Sequence, residues 1–474
     1  IDLRCLLFSL PISFLLNDPE ADKTEIIPSL YESLFITSAS CFFEDVCLEN
    51  QENMQTCQSF LSRMIYEFDA EFIHQVIFEK STGTNTKGEI ITYGLSVIAL
   101  SEKHPELIIH DIASCTFAFA CIETGDHPIQ ETGFELMSTL FQRPNDGFFI
   151  IQDQFFTASV EAFSSGHPPL VSKVLVSIYH YLGSATIRKD IADNLFEPLF
   201  QVFKDYSIPR IQSEVIDCIS NLITSLAEDI LPHAPNIFPI VIQASTEWND
   251  PEYCDIKASA IECIGILLKY CNSIPDIDQI IQVFLLCIQS EDILLMSSGF
   301  RSLINAVSLQ LPQVIEVLQP ALNIAYSVLQ SEPSFADDEE DDKKNDVILD
   351  LWTFSMNFVS EVGKRFPDAL SENLVDIQNL LYKLIFEDDI DEEIEYLAIK
   401  TSSVLIRLFP PESVLEYLGK ILELIAKTES TKTASLCFNV IGKFIRKQEI
   451  YQVFIPEEII NGACQLGLIG ISRE

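Results

Sequence analysis

Prolines keep time along this chain. Pro128, Pro168, Pro209 and Pro251 stand 40, 41 and 42 residues apart, each after a polar turn (Asp126-His127, Gly166-His167, Ser207-Ile208, Asn249-Asp250) and each heading an apolar run of helical period. Proline suits a first helical turn, because its fixed φ fits there and its missing N–H would have had no partner. A second series, Pro105, Pro232, Pro275, Pro312, Pro367 and Pro410, closes one helical pattern just before the next begins. From Pro232 its steps are 43, 37, 55 and 43, and the long step contains the polar run Ser334 to Lys344, whose removal restores the period.

Prolines scattered at random would not stay in register over so many units. Two per unit, one inside a helix pair and one between pairs, predict antiparallel A and B helices of HEAT type, whose period is roughly 40 to 47 residues. Segments Val215–Ile223 and Ala260–Leu268 match at an offset of 45, with an acidic residue, cysteine and isoleucine in one helical register. Repeats of this kind bury their apolar faces only against their neighbours. The expected fold is therefore all-α, an α-α superhelix (solenoid) of about eleven HEAT-type helical-hairpin repeats.

The reading along the chain is 1–80 irregular helical repeats, 81–330 regular repeats, 331–346 an acidic inserted loop, and 347–474 repeats continuing to a truncated end. The start Ile1-Asp2-Leu3-Arg4 reads as that of a fragment. B helices are expected over Glu89–Ser101, Pro128–Phe141, Pro168–Leu182, Pro209–Ala227, Ile293–Leu311, Val347–Phe366, Glu392–Phe409 and Thr431–Lys447, with A helices between them.

Charge narrows the partners. With 29 basic and 71 acidic residues the net charge is −42, which argues against binding nucleic-acid phosphates or anionic lipid. The acidity serves either the solubility of an elongated molecule or an acidic trough for basic partners. The thirteen cysteines contain no Cys-x-x-Cys pair, and read as small reduced core residues of a cytosolic or nuclear protein. The apolar stretch Leu6–Leu16 is too short to span a bilayer and contains Pro11, so membrane insertion is not expected. Neither phosphate loop, nucleophile motif nor histidine metal spacing is present, so no catalytic, cofactor or metal site is expected.

The segment Asp255-Ile256-Lys257-Ala258-Ser259-Ala260-Ile261-Glu262-Cys263-Ile264-Gly265 lies one repeat after Ile211–Ile219, and is followed by a B helix that runs into Pro312 and an A helix. Next comes an acidic insertion with an aromatic, Phe335–Asp342, at a position where one known family also interrupts a repeat. Over residues 195–366 the chain resembles the importin-β (karyopherin-β) family of nuclear transport receptors, closest to the importin-β3-type members that carry ribosomal proteins and histones. The resemblance implies B helices lining an acidic concave surface that wraps basic cargo, and outer A helices offering apolar grooves to phenylalanine-glycine nucleoporins. It also implies release of cargo by the GTP form of the small GTPase Ran, and residence in cytoplasm, nucleus and nuclear pore. Ran's main contact in that family lies in amino-terminal repeats that have no match in this chain. The runner-up reading is a HEAT scaffold subunit of a phosphatase, coat or chromosome complex.

Candidate cargo contacts lie on the polar stripes of B helices: Glu214, Asp217, Asn221, Glu262, Asp350, Asn357 and Glu361. Asparagine suits an extended peptide's backbone and carboxylates suit its lysines, while the same stripes also fit an ordinary solvated helix face. Asp337, Asp338, Glu339, Glu340, Asp341 and Asp342 form either a solvated linker or a polyanion for lysine-rich cargo or Ran. The carboxylates of Glu387–Glu395 sit where a B helix begins and fit its dipole, cargo contact, or both. Trp352 falls on an apolar side and reads as core; Trp248 fits core or surface.

Overall fold

A computed structural model describes residues 23–39, 52–81, 86–104, 112–143, 146–246, 253–271, 276–331, 342–387, 392–428, 430–451 and 455–471. Among these residues there are twenty-one α-helices and no strand. They fall into two compact units, residues 1–240 and 241–474.

In the first unit α1 (Lys23–Ala39), α2 (Glu52–Glu67) and α3 (Ala70–Ser81) pack around α4 (Lys87–Lys103). Regular alternation follows: α5 (Ile112–Ile122), α6 (His127–Phe141), α7 (Gln152–Phe163), α8 (Pro168–Ser184), α9 (Lys189–Asp205) and α10 (Pro209–Leu226). α11 (Ala234–Thr246) carries the boundary between the units. The second unit continues with α12 (Cys254–Tyr270), α13 (Ile277–Ile288), α14 (Ile293–Ser308), α15 (Ile315–Gln330), α16 (Asp342–Arg365), α17 (Leu374–Phe386), α18 (Glu392–Leu405), α19 (Pro411–Lys427), α20 (Thr431–Tyr451) and α21 (Glu457–Ile471). Even-numbered helices from α4 onward are the B helices, and each packs on the B helix of the next repeat within its unit. Within each unit the B helices pack on one another more extensively than successive A helices do.

Proline behaves as the sequence requires at the helix starts. Pro128, Pro168 and Pro209 occupy the first turns of α6, α8 and α10, while Pro251, Pro105 and Pro275 lie outside the described residues. Pro312 and Pro367 open short 3-10 turns that lead into α15 and α17. A third series was not read from the sequence: Pro198, Pro239 and Pro320 sit inside A helices, 41 and 81 residues apart. An internal proline removes one helical hydrogen bond and bends the helix, so A helices α9, α11 and α15 share one interruption at one repeat position. Polar caps set other starts, as where Thr86 and Glu89 close a reciprocal capping box at α4 and the Asp292 carboxylate accepts from Leu295 N at α14.

The B layer packs tightly because its facing positions are small. A Cβ on Gly265 of α12 would stand 2.5 Å from Ser302 Oγ and 2.9 Å from Ser302 Cα on α14. That close approach lets Ser302 Oγ donate to the Ile261 carbonyl at 2.9 Å. Larger side chains fill the space between layers, where Phe134, Phe155, Tyr181, Phe300, Phe358 and Tyr417 are fully buried. Trp352 joins them at 3% exposure, as expected of a core residue; Trp248 lies outside the described residues.

At three junctions a repeat also closes the end of the one before it. Arg143 Nη2 donates to Ser101 O at 2.7 Å, Arg407 Nη2 to Gly363 O at 2.8 Å, and Lys443 Nζ to Ser403 O at 3.5 Å. In every case a cation supplies donors to carbonyls in the last turns of the preceding B helix, where free C=O groups and the helix dipole favour it. Arg407→Ala is expected to lower the unfolding free energy by about 1 kcal/mol, read from urea midpoints. Arg407→Lys is expected to recover part of that loss.

Candidate protein-binding surface on the B layer

Of the polar residues marked in the sequence, Glu214, Asp217 and Asn221 lie on α10, Glu262 on α12, and Asp350, Asn357 and Glu361 on α16. On α10, Glu214 turns inward between helices. Its Oε1 accepts from Ser172 Oγ of α8 at 2.8 Å and from Arg210 Nε at 3.0 Å, leaving Oε2 buried without a partner. Burial raises its carboxyl pKa against the pull of Ser172 and Arg210. Asp217 is half-buried on the same helix, and Asn221 Nδ2 donates to the Tyr179 carbonyl of α8 at 3.2 Å. Tyr179 itself is 42% exposed and lies edge-on to His180.

In the second unit Glu262 of α12 accepts from Ser298 Oγ at 2.9 Å and pairs with Arg301 at 2.6 Å, both on α14. Glu361 of α16 is held by Lys364 at 2.8 Å and Arg365 at 3.0 Å. Burial works to raise the Glu361 pKa, but those two hydrogen bonds prevail and hold it below the usual carboxylate range. Asp350 is exposed and Asn357 half-buried on the same helix. Residues Asp337 to Asp341 lie outside the described residues, as does the Asp342 side chain.

Three of the marked carboxylates, Glu214, Glu262 and Glu361, are thus engaged by the chain's own donors, and two of them join adjacent repeats. The sequence could not show this, because the partner stands 36 to 42 residues away on the neighbouring B helix. Nor is the face uniformly acidic. α8 and α14 carry no aspartate or glutamate at all. Glu392, Glu393 and Glu395 occupy the first turn of α18, as the run of acids there predicts, whereas the C-terminal parts of α16, α18 and α20 and the turn after α18 carry Lys364, Arg365, Lys400, Arg407, Lys443 and Arg446. The sequence reading missed this basic group although its spacing is regular: Lys400 to Lys443 and Lys364 to Arg407 are both 43 residues.

Between α6 and α8 lies a buried acid. Glu131 has no exposed surface; its Oε1 is 2.8 Å from His167 Nε2 and its Oε2 has no partner. Burial pushes the Glu131 carboxyl up to about 9, with Lys173 opposing and Glu135 adding to the shift. His167 is held below its usual pKa by burial and by His127, whose ring stacks on it at 4.5 Å. A protonated Glu131 carboxyl donating to a neutral imidazole satisfies both shifts.

On the A layer, apolar side chains stand in solvent: Leu286 of α13 at 64%, Ile315 of α15 at 60% and Val375 of α17 at 66%. Among the described residues no helix is long and apolar enough to cross a membrane.

The architecture and this two-faced surface define the fold as that of the importin-β-type karyopherins, a HEAT-repeat solenoid. Karyopherin Kap121p bound to the SUMO protease Ulp1p is similar to 93% of this chain, with TM-score 0.69 and 11% identity, over 46% of its own length. Kap121p bound to Ste12p matches 87% of the chain at TM-score 0.64 and 11% identity, over 44% of its length. Yeast importin-β, Kap95p, matches 91% at TM-score 0.62 and 13% identity, over 53% of its length. The chain therefore spans about half the length of the solved structures it resembles. No protein-family profile and no curated protein matches its sequence.

Proposed function

We propose that this chain is part of a nuclear transport receptor that carries protein cargo on its B layer and passes the nuclear pore through its A layer. The observation that carries this reading is the fold shared with karyopherins over nine tenths of the chain. Kap121p has been seen bound to RanGTP and Kap95 to Nup1, and by analogy Ran and phenylalanine-glycine nucleoporins are proposed partners here. Basic cargo of ribosomal-protein or histone type is proposed to meet Asp217, Asn221, Asp350 and Asn357, where polar groups reach the solvent face, together with the outer edges of Glu214, Glu262 and Glu361. The acidic segment Asp337–Asp342 is a polyanion by sequence and suits lysine-rich cargo. Such a receptor works in cytoplasm, nucleus and pore by binding alone, not by catalysis.

Leu286, Ile315 and Val375 are the A-layer residues best suited to phenylalanine side chains, since each exposes most of its apolar surface. The chain is expected to be retained on immobilised phenylalanine-glycine repeats, and Leu286→Ser/Ile315→Ser to reduce retention at least threefold with an unchanged melting curve. Wild-type chain passing through such a column unretained would instead favour a HEAT scaffold subunit.

A further inference from the structure

We propose that the C-terminal turns of α16, α18 and α20 form a basic band that binds a short, extended, carboxylate-rich peptide segment of a partner protein. The observation stands apart from the transport reading and needs neither Ran nor nucleoporins.

The three helix ends are shown to be neighbours by their own hydrogen bonds. Arg407, in the 3-10 turn that follows α18, reaches the Gly363 and Lys364 carbonyls of α16 at 2.8 and 3.3 Å, and Lys443 of α20 reaches Ser403 O of α18. Lys400 and Ser403 lie at i and i+3 on α18, as do Lys443 and Arg446 on α20, so each pair shares one helix face, and Arg407 follows in the turn that ends α18. Lys400, Arg407, Arg446, Lys364 and Arg365 are exposed and Lys443 is half-buried. Among the side chains described in these turns the one carboxylate is Glu361, shared by Lys364 and Arg365.

Among the described side chains of these turns, six cations stand against one carboxylate, the reverse of the whole chain, which holds 29 basic to 71 acidic residues. Capping the preceding helix accounts for Arg407 and Lys443. It does not account for Lys400 and Arg446, which among the described residues make no ion pair and are exposed to solvent.

Charge complementarity selects the occupant. Neighbouring packed helices stand about 8–10 Å apart, so an extended peptide at about 3.3 Å per residue crosses all three with roughly six to eight residues. A peptide that short keeps its carboxylates within the band. A nucleic acid long enough to bind would extend beyond it into the field of a chain with net charge −42.

The test uses the full chain and three fluorescein-labelled probes followed by anisotropy: a decapeptide alternating glutamate and serine, the same peptide with lysine for glutamate, and a ten-nucleotide oligothymidylate. The glutamate peptide is expected to bind at low salt and to weaken with added salt. Lys400→Glu/Arg446→Glu is expected to weaken it about tenfold. Lys103→Glu/Lys204→Glu, with the same total charge but outside the band, is expected to leave it within twofold. Both double variants alter exposed side chains, and their far-ultraviolet circular dichroism and melting curves establish that they fold. The proposal is overturned if the glutamate peptide fails to bind wild type, if both double variants weaken it alike, or if the oligonucleotide binds more tightly and loses that binding in Lys400→Glu/Arg446→Glu.

Discussion

Gly265→Val is expected to destabilise the second unit by about 3 kcal/mol, the upper part of the range for inserting methyl groups into a packed core. The new Cβ alone would stand 2.8 Å from Ser302 Cβ and 2.9 Å from Ser302 Cα, and a serine backbone atom does not swing aside as a side-chain tip does. α12 and α14 must then separate, breaking the Ser302 Oγ bond to Ile261 O and loosening the Glu262 contacts with Ser298 and Arg301. Gly265→Ala tests the cause: alanine is the better helix former by about 1 kcal/mol, so a loss of stability there measures the closeness of the two helices against that preference. Urea unfolding followed by circular dichroism reads both variants. A Gly265→Val midpoint equal to wild type would show that these helices are not in the contact described.

The second large effect concerns pH. Glu131 is protonated in the folded chain up to about pH 9, whereas an unfolded glutamate ionises near its ordinary value. Its folded pKa is raised, so its contribution to stability is fully present below the unfolded pKa and is lost as pH rises toward 9. His167 shifts the other way, and its effect is confined to pH below its usual value. Between pH 7 and 9 the carboxyl therefore acts alone of the pair, and linkage gives a fall of up to about 1.4 kcal/mol per pH unit. Glu131→Gln keeps a donor toward His167 without an ionisable proton. It is expected to flatten that slope and to be more stable than wild type at pH 8.5, the two converging below pH 5. The measurement is the urea midpoint at each pH. Parallel curves for wild type and Glu131→Gln across pH 7 to 9 would mean that Glu131 is not a buried acid. The groups facing it, Asp126, Glu135, Lys87 and Lys173, are common to both proteins and cancel in the comparison.

What could be read from the sequence follows from which interactions are local. Pro128, Pro168 and Pro209 act within one helical turn, and their spacing alone carries the repeat and the all-α fold. Trp352 falls on an apolar stripe, which again needs only the helix period. The binding face did not yield to the same reading, because the state of Glu214 depends on Ser172 and that of Glu262 on Ser298 and Arg301, each a repeat away. A stripe of polar residues looks alike whether it faces solvent or the next repeat. The internal prolines at 198, 239 and 320 and the cations at 364, 400, 407 and 443 were legible in principle, since both series keep the repeat spacing. They go unnoticed when prolines are sought only at helix ends and charge is judged by its total.

The closing of α4, α16 and α18 by the repeat that follows each has a bearing on how this protein is to be divided. Arg407 belongs to one hairpin by sequence and to the previous one by bonding, as do Arg143 and Lys443. A shortened version ending between Arg365 and Arg407 would keep all of α16 yet strip its final carbonyls of their donor, and the terminal hairpin would fray. Cutting after Phe409 instead leaves that donor in place, so the stable modules are offset by one hairpin from those drawn by repeat boundaries.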